Sequence, residues 1–240
     1  MPRTHCLAYG LLIAGISLPS QQVGGDYFDF LDMGAGQLGI AIADVSGKGI
    51  PAALLMANLQ ASLHAQVIRP GEVGEVTSRI NDLLVDSTDS NMFATFFYGI
   101  LDRAASTFTS TNAGHNPPLL LRVAGEIERL EAGGLLLGFM AEQEYQHQTA
   151  TLEPGDILVL FTDGITEAFE SGLEAVADGL FGEDRFVAVV RENRSGSARE
   201  IQNAILAAIS DFTGDSPQSD DITLVVIKRW ENPIKEGQDA

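Results

Sequence analysis

Five aspartates stand at the ends of apolar, strand-like runs, each within two positions of a glycine, a serine or a second aspartate. They are Asp26, Asp44, Asp163, Asp220 and Asp221. Aspartate is common at strand ends because it caps and forms turns, and each residue alone is compatible with that role. If the buried strands end at a common edge of the fold, they bring these carboxylates together instead. The pattern leaves two interpretations open: separate turn residues or one acidic cluster.

A cluster of carboxylates requires a compensating positive charge. Two carboxylates about 4 Å apart repel each other by about 4 kcal/mol at an effective dielectric constant near 20. Lys48, near Asp44, is the only basic residue close in sequence to the acids. Oxygen ligands of this kind favour Mg²⁺ or Mn²⁺ over Zn²⁺. Two such ions about 3.5–4 Å apart would bind a phosphate group and activate water for in-line attack.

The overall charge argues against several other functions. The chain has 240 residues, with 14 Lys and Arg against 33 Asp and Glu, and a formal net charge of −19. Nucleic acids and anionic membranes bind basic patches, so neither is expected as a partner. Cys6 is the single cysteine. It excludes an intramolecular disulfide and a cysteine-based metal site, and it favours a reducing, cytoplasmic location.

The apolar run near the N-terminus has two interpretations, a signal peptide or a buried strand. Gly10 and Gly15 interrupt the run at 7–18, and no small-residue cleavage site follows Leu18, so we favour a buried first strand or a pair of strands. No run reaches the roughly 18 apolar residues that a membrane span requires.

Strands and helices occur in blocks. The strand-like runs are 7–18, 27–33, 37–44, 93–102, 106–113, 118–123, 126–130, 145–152, 156–162 and 221–228, and the helical runs are 49–68, 72–86, 183–193 and 198–211. The first helix is apolar nearly all round and is expected to be buried on more than one side. This order differs from the regular alternation of a parallel βαβ sheet. It predicts one α+β domain over residues 1–240, with sheet packed on sheet and helices outside.

Other motifs give weaker indications. "SGKG" (46–49) lacks the spacing of a phosphate-binding P-loop. His115 lies in a "GHNPP" turn, where a structural role is favoured over metal binding or acid–base catalysis. No G-x-S-x-G serine elbow is present.

An ordered set of motifs resembles one family. The motifs are "VGGDYFDF", "IADVSGKGIPAALLMA", "FATFFYGILD", "NAGHNPPLLL", "LEPGDILVLFTDGITEA" and "DDITLVVI". Together they resemble the SpoIIE/RsbU-type branch of the metal-dependent protein serine/threonine phosphatases (the PPM family), over residues of about 10–229. The resemblance implies a four-layer α/β/β/α sandwich of two antiparallel sheets, with two Mn²⁺ or Mg²⁺ ions between the sheets.

The resemblance also implies roles for the individual acids. Asp26 and Asp44 are similar to the ligands that the two metal ions share, and the backbone carbonyl of Val45 is similar to a further ligand. Asp163 and Asp220 resemble the remaining carboxylate ligands of one metal ion. Asp221 is a second-choice ligand or an acceptor that supports the ligands.

Two departures from the related type 2C enzymes concern catalysis. Lys48 occupies the position of their histidine, the proposed general acid, and this branch has His or Lys there. Water activated by the metal ions is the alternative proton donor. The phosphate-binding arginine near the start of the sequence of those enzymes has no clear match near Asp26. Asp29, three residues after Asp26, is expected to face the opposite side of its strand, toward solvent or behind the ligands.

The function that the resemblance implies is hydrolysis of phosphoserine or phosphothreonine on a small regulatory protein, typically a STAS-domain anti-anti-sigma factor. The helices at 50–68 and 72–86 correspond to a switch that responds to a regulatory partner or to dimerisation. Two other functions remain open: a catalytically silent module that binds a phosphoprotein or an anti-sigma partner, and a phosphatase for small molecules.

Overall fold

Two β-sheets lie face to face in the computed structural model, which describes residues 3–7, 11–21, 24–68, 71–88, 92–169 and 179–230. In chain order the elements are β1 (Arg3–Leu7), β2 (Leu11–Leu18), β3 (Tyr27–Gly34), β4 (Gln37–Val45), α1 (Ile50–Gln66), α2 (Val73–Ser87), β5 (Ala94–Asp102), β6 (Thr107–Ala113), β7 (Leu119–Leu121), β8 (Ile127–Arg129), β9 (Gly133–Gly134), β10 (Gln148–Thr151), β11 (Ile157–Phe161), α3 (Asp163–Thr166), α4 (Gly182–Glu192), α5 (Ala198–Thr213) and β12 (Ile222–Arg229).

The strands pair in two separate ladders. The first sheet has the order β1-β2-β12-β11-β7-β8, and the second has the order β10-β6-β5-β4-β3. The pairings along these two orders are antiparallel. The short β9 departs from the predicted antiparallel pattern, because it runs parallel to β6.

Alternating side chains along β4 divide the apolar residues between two cores. Ile40 and Ile42 point toward the first sheet and pack in the core between the sheets. Ala41 and Ala43 point the other way and lie under the helices. This period of two is the pattern that a strand covered on both faces requires. The core between the sheets also contains Leu11, Ile13, Phe97, Leu101, Phe108, Leu120, Leu158, Leu160, Val225 and Ile227.

Helices cover the outer face of each sheet. Helices α1 and α2 share a buried cluster with the second sheet, and α4 and α5 share one with the first. Ser197 and Glu200 form a capping box that starts α5. The predicted α/β/β/α sandwich is therefore confirmed.

Helix α1 differs from its prediction in its first turns. Leu55, Leu59 and Leu63 are buried, but Ile50 and Leu54 are 73% and 67% exposed. The expectation that this helix is buried on more than one side is thus wrong for Ile50 and Leu54. An apolar composition specifies how many faces can be buried, whereas the neighbouring elements decide how many are.

Strand register gathers the predicted acids at one end of the sandwich. Tyr27 at the start of β3 pairs with Ala43 near the end of β4, so Asp26 and Asp44 lie at the same edge. Phe161 at the end of β11 pairs with Leu224 near the start of β12. The residues after β11 and before β12 therefore meet as well.

The N-terminal run is confirmed as strand for its described part. The run at 7–18 contains the end of β1 and the whole of β2, which pair with each other, while residues 8–10 lie outside the described residues. In the part of the chain that the structure describes, no helix has both the length and the apolar character needed to cross a membrane.

A pair of substitutions on α1 tests which face of the helix carries stability. Leu59→Ala removes a side chain with no exposed surface, so we expect the free energy of unfolding in urea to fall by about 2–5 kcal/mol. The matched control, Leu54→Ala, changes a largely exposed leucine on the same helix, and we expect a change within about 0.5 kcal/mol. Equal losses from the two variants would contradict the described packing.

Candidate functional site

A narrow cleft lies at the end of the sandwich where the acids meet. Its lining includes Gly25, Asp44, Lys48, Asp220 and Asp221, and its volume is about 20 Å³. A volume of that size holds roughly one water molecule. The cleft thus brings together loops from both sheets around a small space lined mainly by polar and charged residues.

Asp26 lies directly before β3 and connects the two sheets. Its Oδ2 atom accepts a hydrogen bond of 2.7 Å from the hydroxyl of Thr162. That hydroxyl in turn accepts one of 2.9 Å from the backbone N–H of Thr223 in β12. Burial raises the pKa of Asp26 to about 8, and repulsion from Asp44 and Asp221 adds to the effect.

Asp44 and the carbonyl of Val45 end β4 and lie against Gly25. A Cβ atom at position 25 would be 3.0 Å from the Val45 carbonyl oxygen and 3.7 Å from Asp44 Oδ1. Glycine therefore lets the chain before β3 pass close to both oxygens. Burial raises the pKa of Asp44 to about 7, and repulsion from Asp163, Asp220 and Asp221 contributes, opposed by Lys48.

Asp163 opens α3, beside the loop that precedes β12. The contact between the two segments is made by Gly164, where a Cβ atom would be 2.0 Å from the carbonyl oxygen of Asp221. Burial raises the pKa of Asp163, and repulsion from Asp220 adds to it. Asp220 is half-exposed at its side chain and lies 3.5 Å from Lys48 Nζ.

Asp221 holds the loops of the cleft in place. Its Oδ1 atom accepts hydrogen bonds from the backbone N–H of Ser20 at 2.7 Å and from the Ser20 hydroxyl at 2.9 Å. Its Oδ2 atom accepts one of 2.7 Å from the N–H of Gly25. Burial alone would raise the pKa of Asp221, but these hydrogen bonds lower it overall. Of the two roles left open for Asp221, the geometry favours the supporting acceptor.

The donor atoms of the acids suit a hard divalent cation, but the distances between the side chains do not yet match a metal site. In the described ranges, no group of three or more His, Cys, Asp or Glu side chains is placed to hold a metal ion as it stands. The available donors are carboxylate oxygens and the Val45 carbonyl, which Mg²⁺ and Mn²⁺ prefer. The raised pKa values of Asp26, Asp44 and Asp163 have the same origin, since buried carboxylates that repel one another lack a neutralising charge.

Asp29 does not take part in the acidic cluster. It lies on the opposite side of β3 from Asp26, under α1, and its Oδ2 atom is 2.9 Å from the hydroxyl of Tyr27 and 2.7 Å from Nε2 of His64. Asp29 is buried, so the expectation that it faces solvent or supports the ligands is wrong. Spacing along a strand indicates the face of a residue, but not what covers that face.

His115 has a structural position. It is buried between the sheets, and its Nδ1 atom lies 2.8 Å from the hydroxyl of Thr95. Burial lowers its pKa to about 4, so the imidazole is neutral near pH 7. This agrees with the interpretation favoured from the sequence.

Ser20 and Thr162 are site residues that the sequence reasoning missed. Thr162 is fully buried and directly precedes Asp163. Its hydroxyl group at the end of an apolar strand could have been recognised from the sequence. Ser20 lies 201 residues from its partner Asp221. No local pattern indicates such a contact.

Comparisons with known proteins identify the family. The family model for stage II sporulation protein E (SpoIIE) matches residues 34–230. The chain belongs to the SpoIIE family. The resemblance of the ordered motifs to this branch is thereby confirmed.

Relatives of this SpoIIE-family chain include a phosphatase of Bacillus subtilis (strain 168). The phosphoserine phosphatase RsbU is 32% identical over 218 residues, which cover 90% of this chain and 63% of RsbU. The chain thus spans less than two thirds of that relative.

Two solved structures share the fold of this SpoIIE-family chain. The RsbU and RsbW domains of a Mycobacterium tuberculosis protein match with a TM-score of 0.75 and 26% identity, covering 92% of this chain and 60% of theirs. The catalytic domain of the serine/threonine protein phosphatase PstP, solved with two manganese ions, matches with a TM-score of 0.65 and 16% identity, covering 91% and 97%.

The burial of the acids, together with their mutual repulsion, predicts an unusual pH dependence of stability. The unfolded chain loses the protons of Asp26 and Asp44 near pH 4, but the folded cleft keeps them until about pH 8 and about pH 7. The folded state therefore binds more protons, and the free energy of unfolding falls as pH rises through this window. Each such proton contributes a slope of up to about 1.4 kcal/mol per pH unit.

Urea unfolding in EDTA, between about pH 6.5 and pH 8, measures this slope, and comparison with Asp26→Asn separates it from the titration of histidine, whose ordinary pKa is about 6.5. We expect a negative slope that is shallower in Asp26→Asn. We expect saturating Mn²⁺ to reverse it, because the cation binds the deprotonated carboxylates. A metal-free slope that is the same in the wild type and in Asp26→Asn would contradict the proposed origin.

Proposed function

We propose that this chain is a Mn²⁺- or Mg²⁺-dependent protein serine/threonine phosphatase. One observation carries the proposal: aspartates from both sheets meet at one cleft, where Lys48 is the single positively charged residue among the described lining residues. An acidic cleft of this kind attracts a phosphate only when cations are bound in it. Membership of the SpoIIE family and the relative named phosphoserine phosphatase support the same activity.

The proposed ligands of two divalent ions are Asp26, Asp44, Asp163, Asp220 and the carbonyl of Val45. When bound, the two ions supply positive charge for the phosphate and lower the pKa of water. The structural neighbour PstP was solved with two manganese ions, which supports the number. Asp221 is assigned to position Ser20 and Gly25 around the ligands.

Lys48 is proposed to assist phosphate binding at the mouth of the cleft. Its side chain is 55% exposed and its Nζ atom lies 3.5 Å from Asp220. Gly47 and Gly49 on either side have positive φ angles of 89° and 76°, a conformation that glycine adopts without strain. A general acid that protonates the leaving seryl oxygen would also have to lie at the mouth of the cleft. Lys48 is therefore our candidate both for phosphate binding and for general acid catalysis.

The proposed substrate is a phosphorylated regulatory protein. More specifically, we propose a STAS-domain anti-anti-sigma factor. Two relatives are named phosphoserine phosphatases, RsbU and RsbP of Bacillus subtilis. One of the structural neighbours joins an RsbU domain to an RsbW domain. These names support a phosphoprotein substrate in a regulatory system. A cytoplasmic location is part of the same proposal.

Phosphate release from a phosphoserine peptide tests the activity. We expect release with Mn²⁺ and none with EDTA. Asp163→Asn removes a proposed ligand charge, and we expect the rate to fall by at least about a hundredfold, the upper range for the loss of groups that only support ligands. The readout is inorganic phosphate over time.

Asp32→Asn is the matched control, since Asp32 is an exposed aspartate near the far end of β3 from Asp26, outside the lining of the cleft, and its substitution should leave the rate unchanged. Release that is independent of metal, or full activity in Asp163→Asn, would refute the mechanism. Binding of the phosphopeptide without any release would indicate a silent binding module.

We further propose that the face formed by α1 and the end of α2 contacts a regulatory partner or a second copy of the chain. Ile50 and Leu54 are exposed there, and Leu54 lines a groove of about 330 Å³ together with Pro51, Asn58 and Met92. Helix α1 begins two residues after Lys48. A partner that contacts the start of this helix would therefore bind only a few residues along the chain from the mouth of the cleft.

Leu54→Glu tests this face by placing a charge on an exposed apolar position. If the face forms a dimer, we expect sedimentation equilibrium to give a lower mass for Leu54→Glu than for the wild type. If it binds a regulator, the Mn²⁺-dependent rate should no longer respond to that regulator. Gln60→Glu, at another exposed position of α1, is the control. Identical mass and rate in all three proteins would refute a dimer face.

A further inference from the structure

A second cavity lies beside the acidic cleft. Its volume is about 230 Å³, and it is enclosed by the end of β2, the segment from α3 to Phe169, the C-terminal half of α5 and the loop that leads into β12. The inner wall is apolar and includes Leu18, Ala168, Leu206, Ile209 and Ile222. Hydroxyl and amide side chains surround its opening, among them Ser210, Thr213 and Gln218.

The cavity and the acids are built from the same two chain segments. Gly164 lines the cavity and directly follows Asp163. Ser219 and Ile222 line it and flank the pair Asp220 and Asp221. A polypeptide with a phosphoserine at the acids therefore needs only a few residues to reach the cavity, since an extended chain spans about 3.3–3.6 Å per residue.

The size of the cavity indicates what it accepts. Pockets for small organic ligands usually have about 300–1,000 Å³, which is larger than the 230 Å³ here. An apolar pocket with a polar rim and room for one large side chain is the arrangement that anchors a protein partner. The cavity is therefore better suited to an anchoring side chain than to a free metabolite.

The surroundings of the cavity are acidic. Asp211 and Asp215 are exposed and adjoin lining residues of α5 and of the following loop, and Glu167 is exposed beside Ala168. Burial raises the pKa of Glu167, and repulsion from Asp163 and Asp220 adds to it, so the negative charge of the cleft extends to Glu167, next to Ala168 of the cavity lining. A ligand with Lys or Arg next to its apolar side chain would relieve this excess of negative charge.

We propose that this cavity binds one large apolar side chain of the phosphoprotein substrate, located within roughly four residues of the phosphoserine and accompanied by a Lys or Arg. The assignment rests on the proposed phosphatase function. It adds a specificity site that no part of the metal chemistry requires. The phosphate would determine where hydrolysis occurs, and the cavity would determine which polypeptides are hydrolysed efficiently.

Phosphoserine peptides provide the first test. The set carries a single leucine at each position up to four residues before or after the phosphoserine, with a neighbouring lysine, and the reference peptide has glycine in place of leucine. Burying one leucine side chain supplies enough free energy for about a tenfold change in KM. We expect at least one position to lower KM by about tenfold. A flat profile across all positions would overturn the proposal.

Ser210→Trp provides the second test, because it places a large side chain at the opening from an exposed position of α5. We expect it to raise KM for the best leucine peptide to that of the glycine peptide. Mn²⁺-dependent hydrolysis of p-nitrophenyl phosphate, which is too small to reach both sites, should be unchanged. Ala207→Trp, an exposed position on the same helix outside the cavity lining, is the control.

Binding of fluorescein-labelled leucine peptide, followed by anisotropy, should weaken about tenfold in Ser210→Trp and remain unchanged in Ala207→Trp. Equal affinity in both variants would overturn the proposal. A second outcome would also overturn the proposal: Ser210→Trp changes the melting temperature of the protein, while leucine in the peptide has no effect on KM. That result would indicate that the cavity is filled by a segment of this chain and not by the substrate. Absence of Mn²⁺-dependent hydrolysis of p-nitrophenyl phosphate in the wild type would instead refute the underlying phosphatase function.

Discussion

Burial of carboxylates that repel one another at one end of the sandwich is the constraint on which the rest of the structure depends. Burial raises the pKa of Asp26, Asp44 and Asp163, and repulsion from neighbouring carboxylates adds to the effect at each of them. Folding opposes this repulsion with three separate apolar clusters, one between the sheets and one beneath each helix pair. The cores therefore supply the free energy that keeps an unfavourable charge arrangement in place. Such an arrangement is useful when a cation is to be bound.

The fold was predictable because its period-two pattern and helix positions are local properties of the chain. Residues 40–43 are all apolar, and a short apolar run with β-branched residues and polar flanks favours a strand with two covered faces. In the structure, Ile40 and Ile42 face one core, and Ala41 and Ala43 face the other. The exposed position of Leu54 was not predictable in the same way. It depends on which element packs against α1, and that element cannot be identified from the amino-acid composition of the helix.

The candidate site was predictable in residue type and less so in role. Strand ends drew attention to the five aspartates, and antiparallel register does bring Asp26 beside Asp44. Asp221 proved to be an acceptor for Ser20 and Gly25, which only the tertiary structure could reveal. Asp29 was misplaced for a similar reason, since its partner His64 lies 35 residues away.

The hydrogen bonds of Asp221 have a consequence for the order in which the chain becomes functional. They join residues 201 and 196 positions apart, and β12 lies between β2 and β11 in the first sheet. Contacts of such long sequence separation form slowly because a large loop must close first. During synthesis, a chain that contains Asp220 and Asp221 but still lacks β12 (Ile222–Arg229) has no strand to join β2 to β11 and to hold the two aspartates at the cleft. The acidic end is therefore assembled only after the C-terminal strand has joined the sheet, which makes completion of the fold a prerequisite for any chemistry there.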